Sequence, residues 1–274
     1  MSQLVVNTDK IAVLRGACRI WAIGSVHGEA ERLRVVHKAV AERFEPGDRL
    51  VYLGNVLGHD PAGAEAIDEI LSFRRAVIGA HGMFAADVSI LRGAQEEMWQ
   101  KLLQLQLALN PGEVLAWMLD QGVGATIEAY GGHVGEGVDA ARSGAAACAR
   151  WTADLRDRVH GHAGHMQMMS ALRRAAVSMG KDDQAHMLFV NAGIDASRPL
   201  ETQKDSFWWP PADIDDLPEP YESFARIVCG YDRQNIGVVE TPFVVKLDGG
   251  AGRGGALAAG CFAAGGALIE VIEG

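Results

Sequence analysis

Five short apolar runs end at a glycine and pass at once into a polar or ionisable residue: "AIGSVHG", "YLGNVLGHDP", "VIGAHG", "FVNAGI" and "IVCGYD". This recurrence constrains the fold of the 274-residue chain more than any other feature. In α/β sheets the loops beyond the C-terminal ends of strands converge on one crevice, where ligands bind. The runs "CRIWAIG" (18–24), "RLVYLGN" (49–55) and "AVIGA" (76–80) read as strands, with helical periodicity between them at 29–44 and 62–75. Such alternation predicts a largely parallel sheet with crossover helices.

Residues 83 to about 178 carry helical patterns, among them "EEMWQKLLQLQLAL" and "GEVLAWMLDQG", and almost no strand signal. They are expected to form a helical insertion or cap within one domain spanning 1–274. Strand patterns return at 186–193, 226–230, 242–248, 255–263 and 267–273, the last of these joined by glycine turns and so expected to be antiparallel. The Pro- and Asp-rich stretch 208–220 predicts an irregular surface loop.

The formal net charge is −10. That disfavours general affinity for nucleic acid or anionic membranes, which reward clustered Lys and Arg. No apolar run reaches the ~20 residues of a membrane span. The first residues lack the pattern of a signal peptide, so a cytoplasmic protein is expected. The four cysteines (Cys18, Cys148, Cys229, Cys261) form no C-x-x-C pair. They read as small buried thiols and not as a zinc site.

Taken in order, the five loops resemble the motifs of the calcineurin-like metallophosphoesterases, most closely the serine/threonine protein phosphatase type with its bacterial relatives. The family patterns are GDxHG, GDxxDRG, GNHE, a histidine in "FVHAG", and GHT. The resemblance covers nearly the whole chain. It implies a four-layer α/β-β/α sandwich with a helical insertion and a dinuclear metal site at the strand ends. In that chemistry two divalent metals clamp a phosphate and a bridging hydroxide. A carboxylate between them offsets their repulsion.

Carried over residue by residue, the resemblance places Ser25 at the first-motif aspartate and keeps the histidine ligand as His27. The bridging aspartate is Asn55. The "DRG" of the second loop becomes Gly58-His59-Asp60, with His59 at the phosphate-binding arginine. The third motif is taken at 79–82, with Ala80 at the asparagine ligand, His81 at the acid histidine and Gly82 at its acidic partner. The later histidines are Asn191 and Tyr231, the latter followed by Asp232. A tryptophan-adjacent arginine falls at Pro210. Of six ligand positions only His27 keeps its residue. Two unit charges 4 Å apart cost roughly 4 kcal/mol at an effective dielectric of ~20, and divalent pairs several times more. Without a bridging anion no family-type dinuclear site is expected.

The main expectation is therefore a catalytically degenerate metallophosphoesterase with no cofactor, acting as a binding, structural or regulatory protein for a protein partner. The alternative is a re-purposed phosphoesterase with a single Zn or Mn at His27, His59 and His81, assisted by Asp60 and Asp232. Two further motifs have bland readings beside functional ones. "HGHAGH" (160–165) is a metal tract or a polar turn between helices, the turn being preferred. The paired Trp208 and Trp209 of "FWWPP" either pack on the core edge or anchor a partner.

Overall fold

Strand residues here are buried on both faces, and that decides the layering. The computed structural model describes residues 7–180, 185–234 and 237–274. In β2 (Arg19–Ile23), Ile20 and Ala22 face one apolar cluster while Trp21 and Ile23 face another. The same alternation holds in β3 (Arg49–Tyr52), where Val51 opposes Leu50 and Tyr52. Side chains of a strand alternate in direction, so two buried faces require a layer on each side.

The first sheet runs β11 (Leu268–Glu273), β10 (Ala258–Ala263), β2, β3 and β4 (Val88–Ile90). β2, β3 and β4 are parallel; β10 and β11 add antiparallel strands at one edge. The second sheet runs β1 (Ile11–Arg15), β5 (Ala175–Met179), β6 (Ala185–Val190), β7 (Arg226–Cys229), β9 (Val244–Lys246) and β8 (Val239–Glu240). The sheets meet over a core that includes Leu14, Val51, Leu53, Phe189, Val228, Val245 and Phe262. Phe189 and Phe262 pack edge to face at 6.3 Å across it.

Helices α1 (Ala30–Ala41) and α2 (Gly63–His81) cover the outer face of the first sheet. The outer face of the second is covered by the segment 191–225, with short 3₁₀ turns at Leu200–Thr202 and Asp205–Phe207 and the buried Phe207, Ile214, Tyr221 and Phe224. These layers give the mixed α/β sandwich that the motif order implied.

Between β4 and β5 lie α3 (Ala94–Leu102), α4 (Pro111–Asp120), α5 (Val123–Ala129), α6 (Val134–Ser143), α7 (Ala145–His160) and α8 (His165–Ala171). The two ends of this helical stretch touch: Leu91 bridges Arg173, and the Arg92 N–H donates to the Arg173 carbonyl at 2.7 Å. The helices thus leave the first sheet and return into the second. β4 and β5 fall within the span 83–178, where the sequence showed almost no strand signal.

Two expectations are corrected here. "AVIGA" (76–80) is the last part of α2, not a strand. Ile67, Ile70 and Val77 keep a helical stripe on the buried side, and Gly82 at φ 60° ends the helix. Cys18 is exposed, while Cys148, Cys229 and Cys261 are buried. No helix of the described residues is long and apolar enough to cross a membrane. Because Phe189 sits at the centre of the inter-sheet core, Phe189→Ala should cost about 3–5 kcal/mol in urea-denaturation stability.

Candidate functional site

The strand-end loops are knitted together by their own backbones. The loop after β2 donates from Val26 and His27 to the Asn55 carbonyl in the loop after β3, at 3.0 and 2.7 Å. The Ser25 N–H donates to the Gly230 carbonyl beyond β7 at 2.9 Å. Gly230 and Tyr231 donate in turn to the Asn191 carbonyl beyond β6, at 2.8 and 2.9 Å. The Asn191 side-chain amide reaches the Leu53 carbonyl at 2.7 Å and so ties one sheet to the other. Ser25, His27, Asn55, Asn191 and Tyr231 do converge, as the loop pattern predicted.

The third loop is elsewhere than expected. It follows β4 and reads "LRGAQE" (91–96). Set against GNHE, it gives Gly93-Ala94-Gln95-Glu96, so the asparagine place is Ala94, the acid histidine is Gln95, and the glutamate is kept. The Glu96 carboxylate is buried and accepts three backbone N–H groups: Gly93 at 2.8 Å, Asn55 at 2.9 Å and Leu57 at 3.1 Å. Burial pushes its pKa up, and these donors work against that rise. Gly93 is required there, because a Cβ would stand 2.3 Å from Asn55 Oδ1. The signal was the retained glycine and glutamate at their G-x-x-E spacing.

Asn55 is the hub. Its Oδ1 accepts the Gln95 N–H at 3.1 Å, and its Nδ2 donates to Ser25 Oγ at 3.3 Å. Three crevice residues hold left-handed backbone: His27 (φ 52°), Asn55 (φ 50°) and His59 (φ 49°). Each such residue stores of the order of 1–3 kcal/mol and persists only where its surroundings enforce it.

His27 is fully buried, and neither ring nitrogen makes a well-formed hydrogen bond. Its ring lies edge-on to His59 at 4.8 Å and to Tyr231 at 5.8 Å. Burial, then His59 and Arg253, hold its pKa well below the usual histidine value; burial and Arg253 lower that of His59 too. Arg253 stacks over the Tyr231 ring at 5.1 Å and binds Asp248 at 2.5 Å. A second cation, the buried Lys246 ammonium, binds Asp215 (2.8 Å), Asp213 (2.9 Å) and Asp232 (3.4 Å). Burial opposes its charge, but the aspartates outweigh burial and raise its pKa. A cavity of about 430 Å³ opens over these groups, with Gln95, Asp120, Trp209 and Pro210 in its wall. Neither Arg253 nor Lys246 was singled out as a site residue from the sequence.

The other predicted residues disperse. His81 ends α2, where its ring packs against Phe44 at 5.2 Å. It sits about 27 Å along the helix from Gly63, at ~1.5 Å per residue, so it does not join His27 and His59. Ala80 is exposed on the same turn. The Asp60 carboxylate accepts the Ala62 N–H at 2.8 Å beside the start of α2. Trp208 is buried in the core, which is the bland reading of that residue; Trp209 is 37% exposed at the cavity rim, 6.4 Å from Trp117.

The residues present do not fit the two metals that the resemblance implied. The bridging place holds a neutral amide with both ends engaged, and Ala94 offers no donor atom. Tyr231 stands where an imidazole would be needed. Arg253 already places positive charge beside the two imidazoles, which opposes a cation there.

Solved structures share this architecture. A candidate diadenosine tetraphosphatase superposes with a TM-score of 0.51 at 17% identity, covering 97% of this chain and 98% of that one. The cold-active protein-tyrosine phosphatase of a psychrophilic Shewanella superposes with a TM-score of 0.54 at 12% identity, covering 98% and 85%. At these identities the likeness is one of fold alone, and it agrees with the two-sheet α/β sandwich described above. No protein-family model matches the sequence, and no curated protein does.

Glu96→Gln replaces an acceptor with an amide that faces backbone N–H groups, so it should lower stability by about 2–3 kcal/mol in urea denaturation. A second expectation concerns pH. The folded pKa of His27 lies below its unfolded value, so its contribution is complete above about pH 6.5 and is lost as pH falls, at up to ~1.4 kcal/mol per pH unit. In urea titrations between pH 7.5 and 5.5, His27→Asn should therefore show a shallower loss than the parent. Asparagine also accepts the left-handed backbone.

Proposed function

We propose that this chain keeps the metallophosphoesterase scaffold without its dinuclear chemistry and acts as a non-catalytic binding protein, structural or regulatory in role. The observation that carries this reading is the Ser25–Asn55–Gln95 hydrogen-bond chain, which engages the bridging position with neutral partners. A metal lowers the pKa of bound water to about 7 and so supplies a nucleophile at neutral pH; no pair of metals would be held here to do so. The crevice remains as a polar cavity, with the buried His27 in its wall.

The partner in this reading is a protein. The helical insertion supports it, since Leu107, Leu109 and Trp117 are exposed there and Trp209 faces Trp117. Exposed apolar groups of this kind mark interaction surfaces. The single-domain organisation over 1–274, with the insertion as its interaction cap, belongs to the same reading, as does a cytoplasmic setting for a chain without paired cysteines.

Purified without chelator and assayed on p-nitrophenyl phosphate with manganese, the protein should show no turnover above the blank. Turnover abolished by His27→Asn would overturn the proposal in favour of an enzyme. A variant supplies the complementary check. Asn55→Asp puts a carboxylate into the buried network beside Glu96 and should lower stability by about 2–4 kcal/mol. Manganese should not restore it; full restoration would mean that a metal pair still binds.

A further inference from the structure

The tract "HGHAGH" lies where α7 ends at His160 and α8 begins at His165, so it is a turn between two helices. Its side chains do more than turn the chain. His165 is fully buried, with Nδ1 3.0 Å from the Tyr130 hydroxyl and Nε2 3.1 Å from Asp68 Oδ1 on α2. The His162 ring sits 4.9 Å from that of His165 and edge-on to Tyr130 at 5.3 Å. One donor atom from each of Asp68, His162 and His165 lies within 4.8 Å of the others. Among the described residues this is the one group of three or more His, Cys, Asp or Glu side chains so disposed.

We propose that Asp68, His162 and His165 bind a single divalent cation of the zinc class, which ties α2 of the core to the α7–α8 turn of the helical insertion. Two imidazoles and a carboxylate are a donor set that suits zinc, at ligand distances of about 2.0–2.2 Å. Tetrahedral ligands at that distance stand about 3.4 Å apart, so the present spread must close by roughly an ångström. The means are at hand, because the Asp68 side chain is 61% exposed and held only at its His165 contact, and His162 is half-buried on a glycine-flanked turn.

Tyr130 supports the ligand role of His165. A ligating imidazole donates its second ring N–H to an oxygen, which fixes its tautomer and orientation. With a cation bound, Nδ1–H donates to the Tyr130 hydroxyl and the Nε2 lone pair turns to the cation, in place of the direct hydrogen bond from Nε2–H to Asp68. The carboxylate supplies negative charge to the cation, and the exposed side of Asp68 leaves a fourth position to water. This site shares no residue with the strand-end crevice, and its existence does not depend on what the crevice does.

The test is zinc chloride titrated into the chelator-stripped full chain by calorimetry, with thermal unfolding in parallel. One equivalent should bind, and the unfolding midpoint should rise by about 5 °C at a hundredfold excess over Kd. Asp68→Asn and His162→Ala change groups that are not fully buried and should each weaken binding about tenfold or more. Tyr130→Phe should weaken it about tenfold through the lost orienting contact. His27→Asn should bind as the parent does. Absence of binding at micromolar zinc would overturn the proposal, as would parent-like binding by both Asp68→Asn and His162→Ala. So would binding lost in His27→Asn, which would move the cation to the crevice.

Discussion

The Glu96 carboxylate holds the crevice floor. It is buried, and it accepts N–H groups from Gly93 in its own loop and from Asn55 and Leu57 in the loop after β3. A carboxylate taken out of water is tolerated only when its lone pairs are engaged. That single residue opens α3 and fixes the loop that carries Asn55. Asn55 in turn fixes Ser25, and its carbonyl receives the backbone of Val26 and His27. The left-handed backbone at His27, Asn55 and His59 is held by this mutual restraint, at residue types that accept that conformation more readily than most.

A phosphoesterase crevice is ordinarily organised by charge, with anionic ligands around cations. In this chain the Asn55 amide takes the central place, bonded to Ser25 Oγ and to the Gln95 N–H. Two cations stand at the periphery, Arg253 paired with Asp248 and Lys246 with Asp213, Asp215 and Asp232. The pairing of Lys246 with Asp213 and Asp215 also pins the Pro- and Asp-rich stretch against β9. This is how an irregular segment becomes a wall of the cavity.

Motif order made most of this legible. The glycine-ended runs at 18–24, 49–55, 186–193 and 226–230 are strands, and their loops meet. The third loop was misread for a physical reason. "AVIGA" is a short apolar run with β-branched residues, and such a run cannot be told from a buried helix segment by periodicity alone. The true strand, "VSI", has three residues and little signal of its own. Its register comes from β3, and its loop is recognised only because Glu96 folds back onto Asn55. Cys18 failed differently: neighbouring composition says little about which side of a layer a side chain will face.

The sequence by itself determined the two-sided apolar strands, the order of the strand-end loops and the neutral side chains at 25, 55, 191 and 231. These are matters of residue identity and local pattern, and the layered fold follows from them. Only the tertiary structure decided which loop completes the crevice, that His81 lies far from His27, and that Asp68 meets His162 and His165 across nearly a hundred residues. Such meetings depend on how helices pack on a sheet. That packing is the sum of many apolar contacts distributed over the whole chain, and no local stretch encodes it.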